Sequence, residues 1–438
     1  MQVDNTTYKD LSIFNTEESF SVFHKLNFTQ SNGGKEWLRY MMSEPFDTLD
    51  KIRDNQKIIQ LIGSCLDNWP NTITNGTMIM LERFYESPVD PIPRSPDIVS
   101  AFLYKLLHSH DYRLTRFSVK HFSDFIKGMV KLADLITQPE SPVKLQLFSS
   151  QIRALLSRRE LQDLVNKKPD AIFSLKENLY FGRFLYFSFK AQFRELTEIY
   201  YQLDAWYSMA MAVRKYKLSF PEFIDSEEPI IQAEKIYHIL LPEPISYDII
   251  LSPQSHFLFL TGANMSGKST FIKSLGVSVY LAHLGMGVPA ARLQLSLFDG
   301  ILTNINVEDN IVKGESYFFN EVQRIKNTIL TINNGRKWLV LIDELFKGTN
   351  IQDAMRCSLA VIEGLVKIQN SLFVLSTHLY EIGDEIRTYP SISFKYFETS
   401  IQNDKLHFSY QLKDGISNDR FGYFILKTEK VVDLLESL

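Results

Sequence analysis

Residues 262–270 read Gly-Ala-Asn-Met-Ser-Gly-Lys-Ser-Thr, and this stretch decides the fold of the C-terminal half of the chain. It fits the pattern G-x-x-x-x-G-K-[ST] and follows an apolar run, Phe257–Leu260, that is typical of a buried parallel strand. A helical pattern begins directly after it. A strand, a glycine-rich turn and a helix N-terminus in this order direct backbone N–H groups and the positive end of the helix dipole at one anion. The stretch therefore predicts a binding site for a nucleoside triphosphate.

Polar side chains inside this stretch and after a second apolar run have predicted roles in the chemistry. Lys268 would reach the β- and γ-phosphates, and Ser269 would offer its hydroxyl to Mg²⁺. The second run, Trp338–Ile342, ends in Asp343 and Glu344. Because α/β folds bind their ligands at the carboxyl edge of the sheet, Asp343 is predicted to hold Mg²⁺, directly or through water. Glu344 is predicted to orient and polarise an attacking water.

Two further segments extend this pattern. A third apolar run, Leu372–Leu375, leads to His378, whose position predicts a sensor of the γ-phosphate or of the attacking water. The stretch 314–321 is a small-residue turn that runs into a helix. Gly314 and Ser316 could present N–H and hydroxyl groups to a phosphate, although Ser316 as a plain helix N-cap explains the pattern equally well.

Composition limits the class of protein. The 438 residues are too many for one core and indicate two or three domains. A formal net charge of -4 excludes a uniformly basic surface and leaves a local basic patch open. Cys65 and Cys357 match no metal or redox spacing, which favours a reduced, cytoplasmic location. No signal peptide and no run of about eighteen apolar residues is present, so no membrane contact is predicted.

The first half of the chain is predicted to be helical. Apolar residues recur at steps of three and four from near Arg183 to Val213, which predicts one helix of about 45–50 Å. Such a helix suits either a lever or an ordinary bundle core. Four prolines in 87–96 predict a semi-rigid connector, and 138–142 predicts a turn between helices. Short β-type runs alternate with helical patterns beyond about residue 228, where we place the domain boundary.

In chain order, the motifs GANMSGKST, GESYFFNE, DELFKGTN and STHLYE resemble the ATPase domain of the MutS family of DNA mismatch repair proteins, an ABC-type P-loop fold. The asparagine and methionine inside the first motif and Gly348-Thr349-Asn350 inside the third are more particular than a generic P-loop. The N-terminal segments Phe20–Thr29 and Gly33–Leu38 are similar to the start of the core (lever) domain of that family. The four motifs are GANMSGKST at 262–270, GESYFFNE at 314–321, DELFKGTN at 343–350 and STHLYE at 376–381.

The resemblance implies an α+β multidomain fold. An N-terminal all-α core/lever domain would occupy residues 1–228, and a C-terminal α/β P-loop ATPase domain of the ABC type would occupy 229–438. The chain is expected to be a short MutS-like form without the mismatch-recognition and connector domains. Its clamp, which would fall within 65–175, is expected to be reduced or absent.

The resemblance also implies ATP and Mg²⁺ as cofactors, and a role for each matched residue. Lys268, Glu344 and His378 would be catalytic, and Ser269 and Asp343 would hold the metal. The family pairs its ATPase domains, so a homodimer is implied in which Ser316 reaches the partner's nucleotide and Gly348–Asp353 lies along the interface. The implied nucleotide-binding residues are Gly262, Ala263, Asn264, Met265, Ser266, Gly267, Lys268, Ser269, Thr270, Ile245, Tyr410 and, in trans, Ser316.

Three functions follow from these patterns. The leading hypothesis is a MutS-like enzyme that binds and hydrolyses ATP and binds DNA, in mismatch repair or a related DNA transaction. Mismatch specificity is doubtful because the mismatch-reading domain is not expected here. The alternative is a nucleotide-gated protein-interaction module that binds no DNA, and a P-loop kinase or transferase comes last. A charge run is more often a solvated helix face, but one run offers candidate DNA contacts at Arg153, Arg158, Arg159, Lys167 and Lys168.

Overall fold

The computed structural model describes residues 1–168, 172–306, 317–402, 405–417, 426 and 430–436. Helices make up the N-terminal part of the chain and the sheets lie mainly in the C-terminal part, which confirms a mixed α and β architecture. Within the described ranges, none of the helices combines the length and the apolar character that crossing a membrane requires.

The helices are numbered in chain order, with two short 3₁₀ turns at Glu18–Phe20 and Leu66–Asn68 and a further short helix at Val431–Glu436. The numbered helices are α1 Asn5–Asp10, α2 Val22–Leu26, α3 Asn32–Ser43, α4 Leu49–Cys65, α5 Asn75–Glu86, α6 Ile98–Leu107, α7 Ser109–Leu135, α8 Val143–Leu155, α9 Arg159–Val165, α10 Leu175–Ser188, α11 Lys190–Tyr216, α12 Lys268–His283, α13 Tyr317–Ile332, α14 Ile351–Leu365 and α15 Glu381–Ile386.

The strands belong to two sheets. They are β1 Gln2–Val3, β2 Glu222–Ile224, β3 Ile231–Ile236, β4 Tyr247–Leu251, β5 Phe257–Thr261, β6 Arg292–Ser296, β7 Gly300–Asn304, β8 Trp338–Asp343, β9 Ser371–Ser376, β10 Ile392–Gln402 and β11 Lys405–Asp414. Among the described residues the larger sheet has the order β1-β7-β8-β9-β5-β10-β11, and the smaller one has the order β2-β6-β3-β4.

The larger sheet is parallel except for its last pair, in which β10 and β11 run antiparallel. Every residue of β5, β8 and β9 is buried, as expected for central strands of a parallel sheet that is covered on both faces. These three strands are neighbours in the order β8-β9-β5, and each contains one of the predicted apolar runs. Their carboxyl ends therefore meet at one edge, and that edge positions the candidate site.

The chain forms two compact units. One unit contains residues 1–25, 44–55 and 215–438, and the other contains 26–43 and 56–214. The early residues join the sheet-containing unit because β1 pairs with β7 and because the buried Asp10 accepts hydrogen bonds from the Ile305 and Asn306 N–H groups at 3.0 and 3.1 Å. The predicted domains, 1–228 and 229–438, are two consecutive segments. The sheet-containing unit, by contrast, includes residues 1–25 and 44–55 together with 215–438. The consecutive bounds, like the reduced clamp, stay predictions.

The single helix predicted from Arg183 to Val213 is wrong at its start. α10 ends at Ser188 and α11 begins at Lys190, with Phe189 between them at φ -115° and ψ -3°. The Phe189 ring is fully buried and its centroid lies 6.1 Å from that of Phe184. Packing of this ring overrides the apolar periodicity that runs through the break. The proline segment and the turn at 138–142 are confirmed as breaks, because both lie outside the helices around them.

One buried carboxylate organises the entry to α3. Asp204 of α11 accepts hydrogen bonds from the Gln30 N–H at 2.8 Å, the Ser31 N–H at 2.9 Å and the Ser31 hydroxyl at 2.7 Å. Burial raises the pKa of Asp204 to about 6, and these donors oppose that effect. An ionised carboxylate is stable in such a place only when its oxygens are satisfied.

We expect Asp204→Ala to lower the free energy of unfolding by about 3 kcal/mol, because it leaves buried N–H donors without an acceptor. Urea titration followed by circular dichroism at pH 7 measures the change. Glu195→Ala, at an exposed position of the same helix, is the matched control and should be near neutral. Equal midpoints for the two variants would contradict this account.

Candidate functional site

A cleft lies at the carboxyl edge of the larger sheet, beside the turn between β5 and α12. It encloses about 630 Å³ and is open to solvent on one side. Residues from the smaller sheet, from β11 and from the loop after β8 complete its walls. The lining residues are Leu241, Glu243, Ile245, Tyr247, Asn264, Met265, Ser266, Gly267, Lys268, Ser269, Thr270, Glu344 and Tyr410.

The turn 262–267 has a backbone that demands its glycines. Gly262 has φ 147° and Gly267 has φ 107°, both in the region that side chains disfavour. A Cβ added at Gly262 would lie 2.8 Å from the Ser266 hydroxyl oxygen. Met265 also has positive φ, at 68°, and its side chain is exposed. The turn is therefore a compact cradle that leads directly into the N-terminus of α12.

Two polar groups of the cradle bear on what it can bind. The buried Lys268 ammonium donates to the Gly262 and Ala263 carbonyl oxygens at 2.8 and 3.0 Å. Burial lowers the pKa of Lys268, and the charges of Glu344 and Asp343 act against that shift. The Ser266 hydroxyl is buried and has no hydrogen-bond partner among the described residues. An unsatisfied buried hydroxyl beside a lysine fits an anion with several oxygens.

Asp343 links the ends of three strands. Its Oδ2 accepts a hydrogen bond from the Ser269 hydroxyl, in the first turn of α12 after β5, and its Oδ1 accepts one from the Ser376 hydroxyl at the end of β9. Asp343 and Ser376 are paired in the register of β8 and β9. The carboxylate is buried, so it depends on these two donors for its hydrogen bonds.

Glu344 is held in a strained position at the same edge. Its φ is 61°, and its N–H donates to the Ser376 carbonyl at 2.9 Å. The carboxylate lies 3.0 Å from the Lys347 ammonium and 3.8 Å from His378 Nδ1. The contact with His378, followed by the charge of Lys347, holds the pKa of Glu344 down to about 2 against the opposing effect of burial. Glu344 is therefore ionised at neutral pH, and its positive φ is a backbone conformation that residues other than glycine rarely adopt.

Aromatic and apolar side chains form the other end of the cleft. Tyr247 packs edge-on against Phe271 and Phe397, with both centroid distances 5.5 Å. Tyr410 lies against the turn, since a Cβ at Gly267 would sit 3.4 Å from its ring. Ile245 is 43 % exposed and faces the same space. A planar apolar group suits this end better than an anion does.

The loop after Glu344 is fixed by the helix that follows the predicted turn at 314–316. The buried Glu321 of α13 accepts hydrogen bonds from the Lys347 and Gly348 N–H groups at 3.1 and 3.2 Å. Asn350 then caps α14 by accepting from the Asp353 N–H at 3.0 Å. Ser316 and Gly314 lie outside the described residues, so the prediction for Ser316 stays a prediction.

Most of the predicted site residues come together in space. Ile245, Tyr410, Glu344 and the stretch Asn264–Thr270 line the cleft, while Gly262, Ala263, Asp343 and His378 contact residues that line it. Their assigned roles stay predictions. Sequence reasoning did not assign Tyr247, Ser376, Lys347 or Glu321 to the site. Ser376 directly follows the third apolar run, but its contact with Asp343 depends on the order of the strands, which the sequence pattern does not contain.

These residues fit a nucleotide with a divalent cation. The cradle has a buried lysine, an unsatisfied hydroxyl and glycines where a Cβ would crowd it, which suits phosphate oxygens. Ser269 and Asp343 are adjacent oxygen donors of the kind that Mg²⁺ accepts beside a phosphate. Mg²⁺ would be held by these two side chains, with ATP as the ligand of the cradle.

Comparison with known proteins identifies the family of this region. Residues 258–434 match the family described as MutS domain V. DNA mismatch repair protein MutS of Petrotoga mobilis is 30% identical over 229 residues, which is 52% of this chain and 28% of that protein. The MutS proteins of Thermotoga maritima and Staphylococcus aureus (strain JH9) are 28% and 25% identical, over 55% and 64% of this chain and 30% and 32% of their own lengths. The chain therefore spans about a third or less of these relatives.

The low pKa of Glu344 predicts a pH dependence of stability. A carboxyl whose folded pKa lies below its unfolded value contributes stability above about pH 4.5, and that contribution is lost as the pH falls toward the folded value of about 2. We expect Glu344→Gln to make the loss of unfolding free energy between pH 5 and pH 3 smaller than in the unmodified chain. Urea titrations at both pH values measure it. Glu385→Gln, an exposed carboxyl on α15, should leave that loss unchanged, and an equal effect of both substitutions would contradict the assignment.

Proposed function

We propose, from the premise that this chain belongs to the MutS family, that it is a Mg²⁺-dependent enzyme that binds and hydrolyses ATP and couples the nucleotide state to DNA binding. The observation that carries the proposal is the meeting of the phosphate cradle, Asp343 and Glu344 at one sheet edge. The P-loop and ABC-type character of the domain is part of this proposal. A cytoplasmic location would follow from it.

ATP would bind with its phosphates in the turn 262–267 and its adenine between Ile245 and Tyr410. Lys268 now donates to two carbonyl oxygens of its own loop, and its ammonium would turn to the β- and γ-phosphates. The Ser266 hydroxyl would gain the acceptor that it lacks. Binding therefore adds hydrogen bonds to groups that are already buried, which limits the desolvation cost.

Hydrolysis would depend on Glu344. With a pKa of about 2 this carboxylate is a weak base, so it would orient and polarise the attacking water more than it removes a proton. Mg²⁺ held by Ser269 and Asp343 would neutralise charge on the phosphates. His378, whose Nδ1 lies 3.8 Å from the Glu344 carboxylate, would report on that water or on the γ-phosphate. The ion pair of Lys347 with Glu344 would compete with the water for this carboxylate and would slow turnover.

The proposed assembly is a homodimer through the ATPase domains. The loop 347–350 and the start of α14 would lie at that interface, and Ser316 of one subunit would reach the nucleotide of the other. Glu321 of α13 accepts hydrogen bonds from the Lys347 and Gly348 N–H groups, so the helix that follows Ser316 in the chain is connected to this loop. A movement of α13 would therefore reach the loop beside Glu344.

DNA is the proposed partner, and a protein partner without DNA is the alternative. The candidate basic residues give mixed support. Arg153 is paired with Asp134 at 2.6 Å and Lys167 with Glu177 at 2.5 Å, so both charges are partly neutralised. Arg158 donates to the Ser188 carbonyl, which is an uncharged partner. The ion pairs of Arg153 and Lys167 favour the alternative of a protein partner, so DNA binding needs a direct test.

We expect Glu344→Gln to bind ATP normally and to hydrolyse it at least about 100-fold more slowly, since it removes the group that polarises the water. Lys268→Ala should instead weaken ATP binding about tenfold or more. Nucleotide titration and phosphate release at saturating Mg²⁺ separate the two effects. Glu385→Gln serves as the control with unchanged binding and rate. Unchanged hydrolysis in Glu344→Gln would overturn the catalytic assignment.

DNA coupling predicts that duplex, mismatched or branched DNA changes the ATPase rate, and that DNA affinity falls steeply with rising salt. Steady-state ATPase rates with each DNA, and fluorescence anisotropy between 50 and 200 mM salt, test both points. Double substitution of Arg158 and Arg159 by Ala should weaken binding and flatten the salt slope. Flat rates and no binding at the lowest salt would favour the protein-interaction module.

A further inference from the structure

We propose that Asp90, His108 and Asp111 form a binding site for a divalent transition-metal ion of the zinc class. One ligating atom of each side chain lies within 4.8 Å of the others. All three belong to the helical unit, whereas the nucleotide cleft belongs to the sheet-containing unit. The three residues therefore form a group that is separate from the nucleotide cleft.

The three side chains are already linked to one another. His108 Nδ1 lies 2.7 Å from Asp90 Oδ2. The Asp90 N–H donates to Asp111 Oδ2 at 3.0 Å, which keeps the Asp111 carboxylate beside Asp90. Ligands at 2.0–2.2 Å from a tetrahedral ion are roughly 3.3–3.5 Å apart, so small displacements of these side chains would admit the ion.

The proline segment 87–96 is what holds Asp90 there. The Tyr104 hydroxyl donates to the Asp90 carbonyl at 3.0 Å, and the Tyr186 hydroxyl donates to the Ser87 carbonyl at 3.1 Å. Arg183 donates to the Ile92 carbonyl at 2.6 Å, and the Ile92 side chain is buried. These contacts and the restricted backbone of four prolines fix the loop before any ion binds, which lowers the entropic cost of binding.

His108 is fixed from the other side. It is the single residue between α6 and α7, and the Tyr104 ring stacks on it with centroids 4.9 Å apart. Asp111 follows in the first turn of α7. A donor at a helix junction and another one turn later keep a constant spacing, which is the kind of support that metal ligands need.

The charge of the cluster favours a cation. Two carboxylates lie beside two histidines, His108 and His110, and within the described residues no lysine or arginine lies at ion-pair distance from either carboxylate. The two carboxylates therefore lie close together with no cationic lysine or arginine beside them. A divalent ion would relieve their repulsion and take the imidazole nitrogen as a ligand at the same time.

The donor set selects the class of ion. Imidazole nitrogen with carboxylate oxygens suits Zn²⁺ and neighbouring transition metals, whereas Mg²⁺ and Ca²⁺ prefer oxygen alone. A fourth ligand is at hand, because His110 Nδ1 lies 3.5 Å from Asp111 Oδ1 and its side chain is 84% exposed and free to turn. The bound ion would tie the proline segment to the junction of α6 and α7.

Titration with Zn²⁺ alone tests the proposal. Protein freed of metal by a chelator, in a Cys357→Ser background that removes the half-buried thiol, is titrated calorimetrically with Zn²⁺. We expect one ion per chain, a rise in melting temperature, and no such effect of Mg²⁺. Co²⁺ in place of Zn²⁺ should give visible absorption bands that report nitrogen and oxygen ligation.

Two variants and one control decide the result. His108→Gln and Asp111→Asn should each weaken Zn²⁺ binding about tenfold or more and abolish the Co²⁺ bands. Asp111→Asn keeps an oxygen that can accept from the Asp90 N–H, so its melting temperature without metal should stay close to that of the unmodified chain. His24→Gln alters an exposed histidine that has Glu18 at 3.6 Å, and it should change nothing. Zn²⁺ affinity that is equal in all three variants would overturn the proposal.

Discussion

The structure of the candidate site depends on one buried carboxylate that must be satisfied where three parallel strands end. Asp343 receives a hydroxyl from the helix that follows β5 and another from the end of β9. Without these donors a buried carboxylate would cost several kcal/mol, and the three strand ends would lose their common anchor. The turn 262–267, Glu344 and the loop that follows lie around this group.

Most of the site was predictable because its signals are local. A glycine-rich turn between a strand and a helix, and acidic residues that end an apolar run, can be recognised within a few residues of sequence. Ser376, Lys347 and Glu321 could not be assigned in this way, because their roles arise from strand order and loop closure. Ser376 meets Asp343 only because β9 lies between β8 and β5. The role of Ser316 stays a prediction, because Ser316 lies outside the described residues.

The fold was predictable at the level of its parts and less so at its joins. The buried strands and the helices of the first half follow from apolar periodicity. The break at Phe189 does not, because the sequence pattern continues through it and only the packing of its ring reveals the turn. The participation of residues 1–25 in the sheet-containing unit is also a long-range effect, which a pattern read along the chain does not contain.

The pairing of β1 with β7 places Gln2 opposite Gly300, and this has a consequence for how the chain is made. At about 5–20 residues per second, a ribosome needs roughly 15–60 s to pass from one to the other. During that time the first strand has no partner, and closing so long a loop afterwards is an entropic cost that slows the last stage of folding. From the time β7 has formed until β1 pairs with it, the outer edge of β7 would expose unpaired backbone groups. Such an edge is open to pairing with other chains. The order of synthesis therefore makes this sheet edge the place where premature association would begin.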